Sequence, residues 1–193
     1  QSQVNLLARE HFHQNFDAGL SKSLTLVRSP AGYGKTTLLA AWYVYLQRRD
    51  VPVVWLSLEE DEQSPEQFVY CLACALSQVM ESAHPIAQAI RQGARNMSAF
   101  EALKSLIHGM ERLPGNTVLL LDDYHLAEGP DIDKLLSTLL RYLPQQLHLV
   151  VATRTKPGFP LSSMRISGAL QELTEGDLRF AENEIVAYLN DFL

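Results

Sequence analysis

The chain has 193 residues, 47% of them hydrophobic and 20% charged, which is enough to bury one core and too little for several. A formal net charge of -6 and a pI near 5.5 argue against a nucleic-acid-binding surface, because the one adjacent basic pair, Arg48 and Arg49, is followed by Asp50. No apolar run approaches the roughly 20 residues that span a bilayer, and the opening QSQVNLLARE lacks the basic start and apolar core of a secretory signal, so a cytoplasmic protein without membrane contact is expected.

Leu24-Thr25-Leu26-Val27 predicts a first strand, which leads into SPAGYGKTT, residues Ser29 to Thr37. Leu38, Ala41, Trp42, Tyr45 and Leu46 then mark an amphipathic helix, and Val53-Val54-Trp55-Leu56 a second strand. Phe68, Cys71, Leu72, Ala75, Leu76, Val79 and Met80 recur at three and four residues, which predicts a helix with its cysteines packed in the core. Cys71 and Cys74 have C-x-x-C spacing, but a redox pair needs a helix N-terminus and a zinc site needs two further ligands.

Phe100, Leu103, Ile107 and Met110 predict a further helix, Val118-Leu119-Leu120-Leu121 a third strand, and Ile132, Leu135, Leu136, Leu139 and Leu143 another helix. Leu147 to Ala152 reads as a fourth strand and Ala169 to Leu173 as a weaker fifth. Strands apolar on both faces and separated by helices predict an α/β fold, a three-layer sandwich around a mainly parallel five-stranded sheet. The loosest segments, Glu59 to Pro65 and Thr153 to Ser167, follow strands, at the sheet end where open α/β folds place ligands. The chain stops inside what reads as an unfinished helix, Ala187 to Leu193, as a fragment would.

The chemistry concentrates at SPAGYGKTT. A phosphate loop presents successive backbone N–H groups to an anion, extends a lysine to the terminal phosphates and places a Ser/Thr hydroxyl on magnesium. Gly32 and Gly34 allow the necessary backbone, Lys35 is the cation, Thr36 the magnesium ligand and Thr37 a donor to an inner phosphate. Ser29, Pro30, Ala31 and Tyr33 complete the loop. Serine stands where the usual pattern opens with glycine, and the nest can be built from the later residues. The helix that follows sets its positive end under the anion.

Val118 to Asp123 is a buried strand delivering two carboxylates. Asp122 is expected to support the metal through water, and Asp123 to orient or deprotonate the attacking water. Arg154, past the fourth strand, is the candidate sensor of the γ-phosphate. His125 reads as a structural hydrogen-bonding residue without a catalytic role. The nearest match to a guanine-reading motif, Thr155-Lys156-Pro157-Gly158, lacks its carboxylate, so adenine is expected.

Together, LTLVRSPAGYGKTTLLAAW, VVWLSLEEDEQSPEQFVYCL, VLLLDDYHL and LHLVVATR resemble the nucleotide-binding domain of the MalT-like, large ATP-binding LuxR-type transcription regulators, of the STAND class of P-loop NTPases. The resemblance implies a cytosolic switch that binds ATP or ADP with magnesium, in which ATP and an inducer favour an oligomerising form and slow hydrolysis resets it. It gives Lys35 and Thr36 to ATP and magnesium, Asp122 to the metal, Asp123 to hydrolysis and Arg154 to sensing, and puts Arg9 beside the adenine. Members continue into a helical lid, a winged helix, a helical-repeat sensor for a small-molecule inducer, and a helix-turn-helix for promoter DNA. The chain therefore reads as the NTPase core alone, residues 1–193. The alternatives are a fast AAA-type remodeller or loader, a small-molecule kinase, and a non-nucleotide interaction module.

Overall fold

The computed structural model describes residues 16–60, 64–93, 97–113 and 115–178. Among them lie the strands β1 (Leu24–Arg28), β2 (Val53–Ser57), β3 (Thr117–Asp122), β4 (Leu147–Thr153) and β5 (Leu170–Leu173). The helices are α1 (Lys35–Arg48), α2 (Pro65–Leu76), α3 (Ala83–Arg91), α4 (Ala99–Met110), α5 (Pro130–Arg141) and α6 (Leu161–Ile166), with a 3-10 turn at Tyr124–Leu126. Residues 16–20 are also helical.

The strands form one parallel sheet in the order β2-β3-β4-β1-β5. Every residue of β3 and β4 is buried, as a sheet covered on both faces requires. Alternation along the strands sorts the side chains into two cores. Leu119, Leu121, Leu149 and Val151 face Phe68 and Leu72 of α2, Leu103 of α4 and Leu136 of α5. Val118, Leu120, Val150 and Ala152 face Leu38, Leu39 and Trp42 of α1, with Phe16 stacked on Trp42 at 4.5 Å between ring centroids. The predicted three-layer arrangement is present, and all of its strand pairs are parallel.

Local chemistry starts the outer helices. Ser64 accepts a hydrogen bond from Gln67 N–H with Pro65 in the first turn of α2, and Ser98 and Glu101 form a reciprocal capping box on α4. The expectation for the cysteines holds in part for Cys71, which packs against the core, and is corrected for Cys74. The buried face of α2 is Phe68, Val69, Leu72, Ala73, Ala75 and Leu76; Cys71 is half-buried at its edge and Cys74 is exposed. Helix α3, carried by Ala83 and Ala87, was not among the predicted elements. The segment after β4 is also more ordered than expected, since Pro157 and Phe159 are buried and α6 lies within it. Arg9 and the final Ala187 to Leu193 lie outside the described residues.

One polar cluster crosses the sheet. His148 Nδ1 donates to the Lys22 carbonyl at 2.7 Å, and Nε2 lies 3.0 Å from the Thr25 hydroxyl, which also reaches Gln171 Oε1 at 3.2 Å. Burial pushes the His148 pKa down, against the opposing effect of the Lys22 hydrogen bond, and the ring is neutral near pH 7.

Candidate functional site

Three neighbouring strands, β1, β4 and β3, end at one cleft, lined by Ala31, Gly32, Gly34, Lys35, Thr36, Thr37, Asp123 and Arg154. Its volume is ≈ 140 Å³, which suits a few phosphate groups better than a whole nucleotide. Ser29 continues the ladder beyond β1: its N–H donates to the Thr153 carbonyl at 3.3 Å, and its own carbonyl accepts from Lys35 Nζ at 2.8 Å. A second bond from Nζ reaches the Pro30 carbonyl at 2.9 Å, so Lys35 lies folded back across the start of its loop.

Gly32 and Gly34 have φ of 84° and 71°, in the left-handed region that favours glycine. A Cβ at either position would meet nothing within 4 Å, so the requirement is conformational, and the space before them is the cleft. Gly34 caps α1 without a side-chain hydrogen bond, and the first turn of that helix carries no acidic residue. Its N–H groups therefore face the cleft without an internal anion.

Asp122 closes β3 at 1% exposure. Burial raises its carboxyl above the ordinary 3.8, while the nearby Thr36 hydroxyl opposes the rise, so the two predicted metal-binding residues are neighbours. Asp122 Oδ1 also accepts from Asp123 N–H at 2.9 Å. Asp123 has φ of 53°, a left-handed conformation held by a non-glycine residue at the entrance to the 3-10 turn.

Cations crowd the cleft. Burial and the positive charge of Arg154 lower the Lys35 pKa, with Asp123 and Asp122 opposing. Burial and the same arginine lower the pKa of His125, keeping its ring neutral at pH 7. Lys35 and Arg154 stand close enough at the loop to oppose one another's charge, which fits an anionic ligand between them. Ser29 is 3% exposed, and its hydroxyl has no hydrogen-bond partner among the described residues. Among those residues no group of three or more His, Cys, Asp or Glu stands ready to hold a metal, so an ion here would lean on the hydroxyl of Thr36 and on ligand oxygens.

Sequence reasoning missed His125. Its side chain is 10% exposed, its Nδ1 lies 3.9 Å from Asp123 Oδ1, and neither ring nitrogen has a hydrogen-bond partner among the described residues. It is thus no satisfied structural histidine. The signal that would have found it is position: two residues after Asp123, on a turn too short to carry it away.

No family model matches the chain. It is similar over 92% of its length to the HTH-type transcriptional regulator MalT of Cronobacter sakazakii, at 29% identity, and over 93% to that of Yersinia enterocolitica, at 30%. These matches cover 19% and 20% of the two relatives, so the chain spans about a fifth of their length. Among solved structures it is similar to the Orc1 protein of Aeropyrum pernix, determined in complex with DNA, with a TM-score of 0.54 at 20% identity over 88% of this chain and 44% of that one. Drosophila ORC bound to DNA matches with a TM-score of 0.55 at 12% identity, over 90% of this chain and 91% of that one. The fold is that of the P-loop NTPases, and the nearly full-length sequence similarity is to the MalT regulators.

Proposed function

We propose that this MalT-like chain is the ATP-binding switch domain of a transcription regulator, and that it hydrolyses ATP slowly to return to its resting state. The observation that carries the proposal is the convergence at one cleft of the Gly32 and Gly34 backbone, Lys35, the Thr36–Asp122 pair, Asp123 and Arg154. Similarity to MalT regulators along almost the whole chain supports the regulatory half of the reading.

On this reading the N–H groups from Gly32 to Thr37 hold the phosphates. Lys35, folded back on the Ser29 and Pro30 carbonyls, exchanges those two hydrogen bonds for phosphate oxygens. Thr36 and, through water, Asp122 would hold a magnesium ion, which when bound would supply positive charge against the phosphoryl oxygens. Asp123 orients the attacking water and accepts its proton, and its left-handed backbone sets its carboxylate apart from that of Asp122. Arg154 stabilises charge on the phosphoryl group and senses its loss. The neutral ring of His125 lies beside Asp123, its Nδ1 3.9 Å from the carboxylate. A cytoplasmic location, self-association of the active form, and an inducer and promoter DNA bound through other parts of the protein belong to the same proposal. No helix among the described residues is long and apolar enough to cross a membrane.

Lys35→Ala in the complete protein tests the assignment. ATP with magnesium should raise the melting temperature of the parent and leave the variant unmoved; equal protection of both would refute it. Turnover separates the switch from an AAA-type machine, since sustained hydrolysis of many ATP per second without inducer or DNA contradicts a switch.

A further inference from the structure

Two elements must hold register for hydrolysis to work: the turn after β3, with Asp123, and the loop after β4, with Arg154. The Arg154 guanidinium has no hydrogen bond or ion pair among the described residues, so its place in the cleft depends on its backbone. Contacts on both sides fasten that backbone. The Thr155 hydroxyl donates to Glu128, which lies just beyond the 3-10 turn, and Thr155 N–H donates to Thr153 Oγ1 at 3.2 Å. Further along the loop, Phe159 meets Tyr124 edge-on at 5.8 Å. Tyr124 is fully buried, and its hydroxyl donates to Asp133 of α5 at 2.7 Å.

The geometry points to Glu128 and Thr155 as positioning residues for hydrolysis: their hydrogen bond ties the Arg154 backbone to the Asp123 turn and so keeps the guanidinium and the hydrolytic carboxylate in one cleft. The inference rests on the proposed ATP hydrolysis and adds to it two residues that touch neither nucleotide nor metal. The buried Tyr124–Phe159–Asp133 contacts hold the far end of the loop. The Glu128–Thr155 bond is the fastening nearest the chemistry, and it is exposed, so its removal leaves the core intact.

The test is single-turnover hydrolysis of Mg-ATP by the complete protein, with ATP affinity and melting temperature measured alongside. Thr155→Val and Glu128→Ala should each slow hydrolysis by about tenfold, as expected when a catalytic group is displaced by a fraction of an ångström to an ångström. The double variant should be no slower than either single one, because both remove the same bond. Thr155→Ser, which keeps the hydroxyl, should restore most of the rate, and affinity and melting temperature should stay at parental values throughout. Parental rates in the single variants, multiplying losses in the double variant, or losses that track affinity or melting temperature would overturn the inference. A parent that binds no ATP would instead bring down the functional reading itself, and would do so before any variant is compared.

Discussion

Asp122→Asn isolates what it costs to keep an ionised carboxylate waiting inside a sheet. Asp122 is 1% exposed, and burial raises its carboxyl above 3.8 although the N–H of Asp123 hydrogen-bonds to it and the nearby Thr36 hydroxyl favours its ionised form. Asparagine keeps a carbonyl oxygen for Asp123 N–H and turns an amide toward the Thr36 side, so the charge goes while the backbone hydrogen bond stays. A carboxyl that is harder to ionise folded than unfolded opposes folding wherever it is ionised. Without nucleotide at about pH 7.5, the variant should therefore be more stable than the parent by on the order of 1 kcal/mol, the usual gain from relieving a functional-site compromise. For a chain of this size that is roughly 3 °C. The sign follows from the raised pKa: below the ordinary carboxylate value the two proteins should match, and the gap should open as pH rises and reach full size above the folded-state value.

Mg-ATP should close or invert the gap. At a hundredfold excess over Kd the parent gains about 2.7 kcal/mol, whereas loss of a supporting carboxylate lowers metal affinity by roughly 10 to 100-fold. Unfolding followed through Trp42 and Trp55 fluorescence, with and without Mg-ATP at about pH 4 and 7.5, reads all of these arms. A variant less stable than the parent without nucleotide, or a gap that ignores pH, would refute the account of Asp122.

His148, buried and neutral, should make the parent acid-labile: its contribution is intact above 6.5 and lost as pH falls through its lowered folded-state value. His148→Gln should flatten the dependence of stability on pH below about 6.5, and unchanged slopes would exclude the ring as a cause. Gly158→Ala should cost about 1–3 kcal/mol, because the new Cβ would lie 2.3 Å from Asp133 Oδ2 in a carboxylate already held by Tyr124. Gly129→Ala, with nothing within 4 Å and an extended φ of -177°, is the control and should stay within about 0.5 kcal/mol in denaturant unfolding. Phe16→Ala should cost roughly 3–5 kcal/mol by the same measurement, since its ring is 1% exposed and stacks on Trp42.

The strands were legible because a sheet covered on both faces writes its burial into consecutive residues: Val118 to Leu121 needs no partner to be recognised as core. Helix phase is weaker evidence. In α2 the predicted stripe found Phe68, Leu72, Ala75 and Leu76 on the buried face but left out Val69 and Ala73, and cysteine's usual burial did not hold for Cys74, which lies off that stripe. Strand order was not legible at all. The placement of β4 between β1 and β3, which brings Arg154 to the phosphate loop, depends on pairings such as Leu24 with Leu149 that no local pattern encodes. The Glu128–Thr155 bond joins residues 27 positions apart through that same topology.

The opening of the loop shows why motif and geometry must be read together. Against the usual glycine, Ser29 looks like a defect, but its two contacts in the site are made by backbone atoms, the N–H to Thr153 and the carbonyl to Lys35. Any residue able to continue the strand can make them. What serine adds is a buried hydroxyl without a partner among the described residues, and such a group costs roughly 1–3 kcal/mol until something satisfies it. Glycine would avoid that cost. A hydroxyl kept at the mouth of an anion-binding loop, beside a lysine that is itself only parked on carbonyls, fits a site whose hydrogen bonds are completed by its ligand.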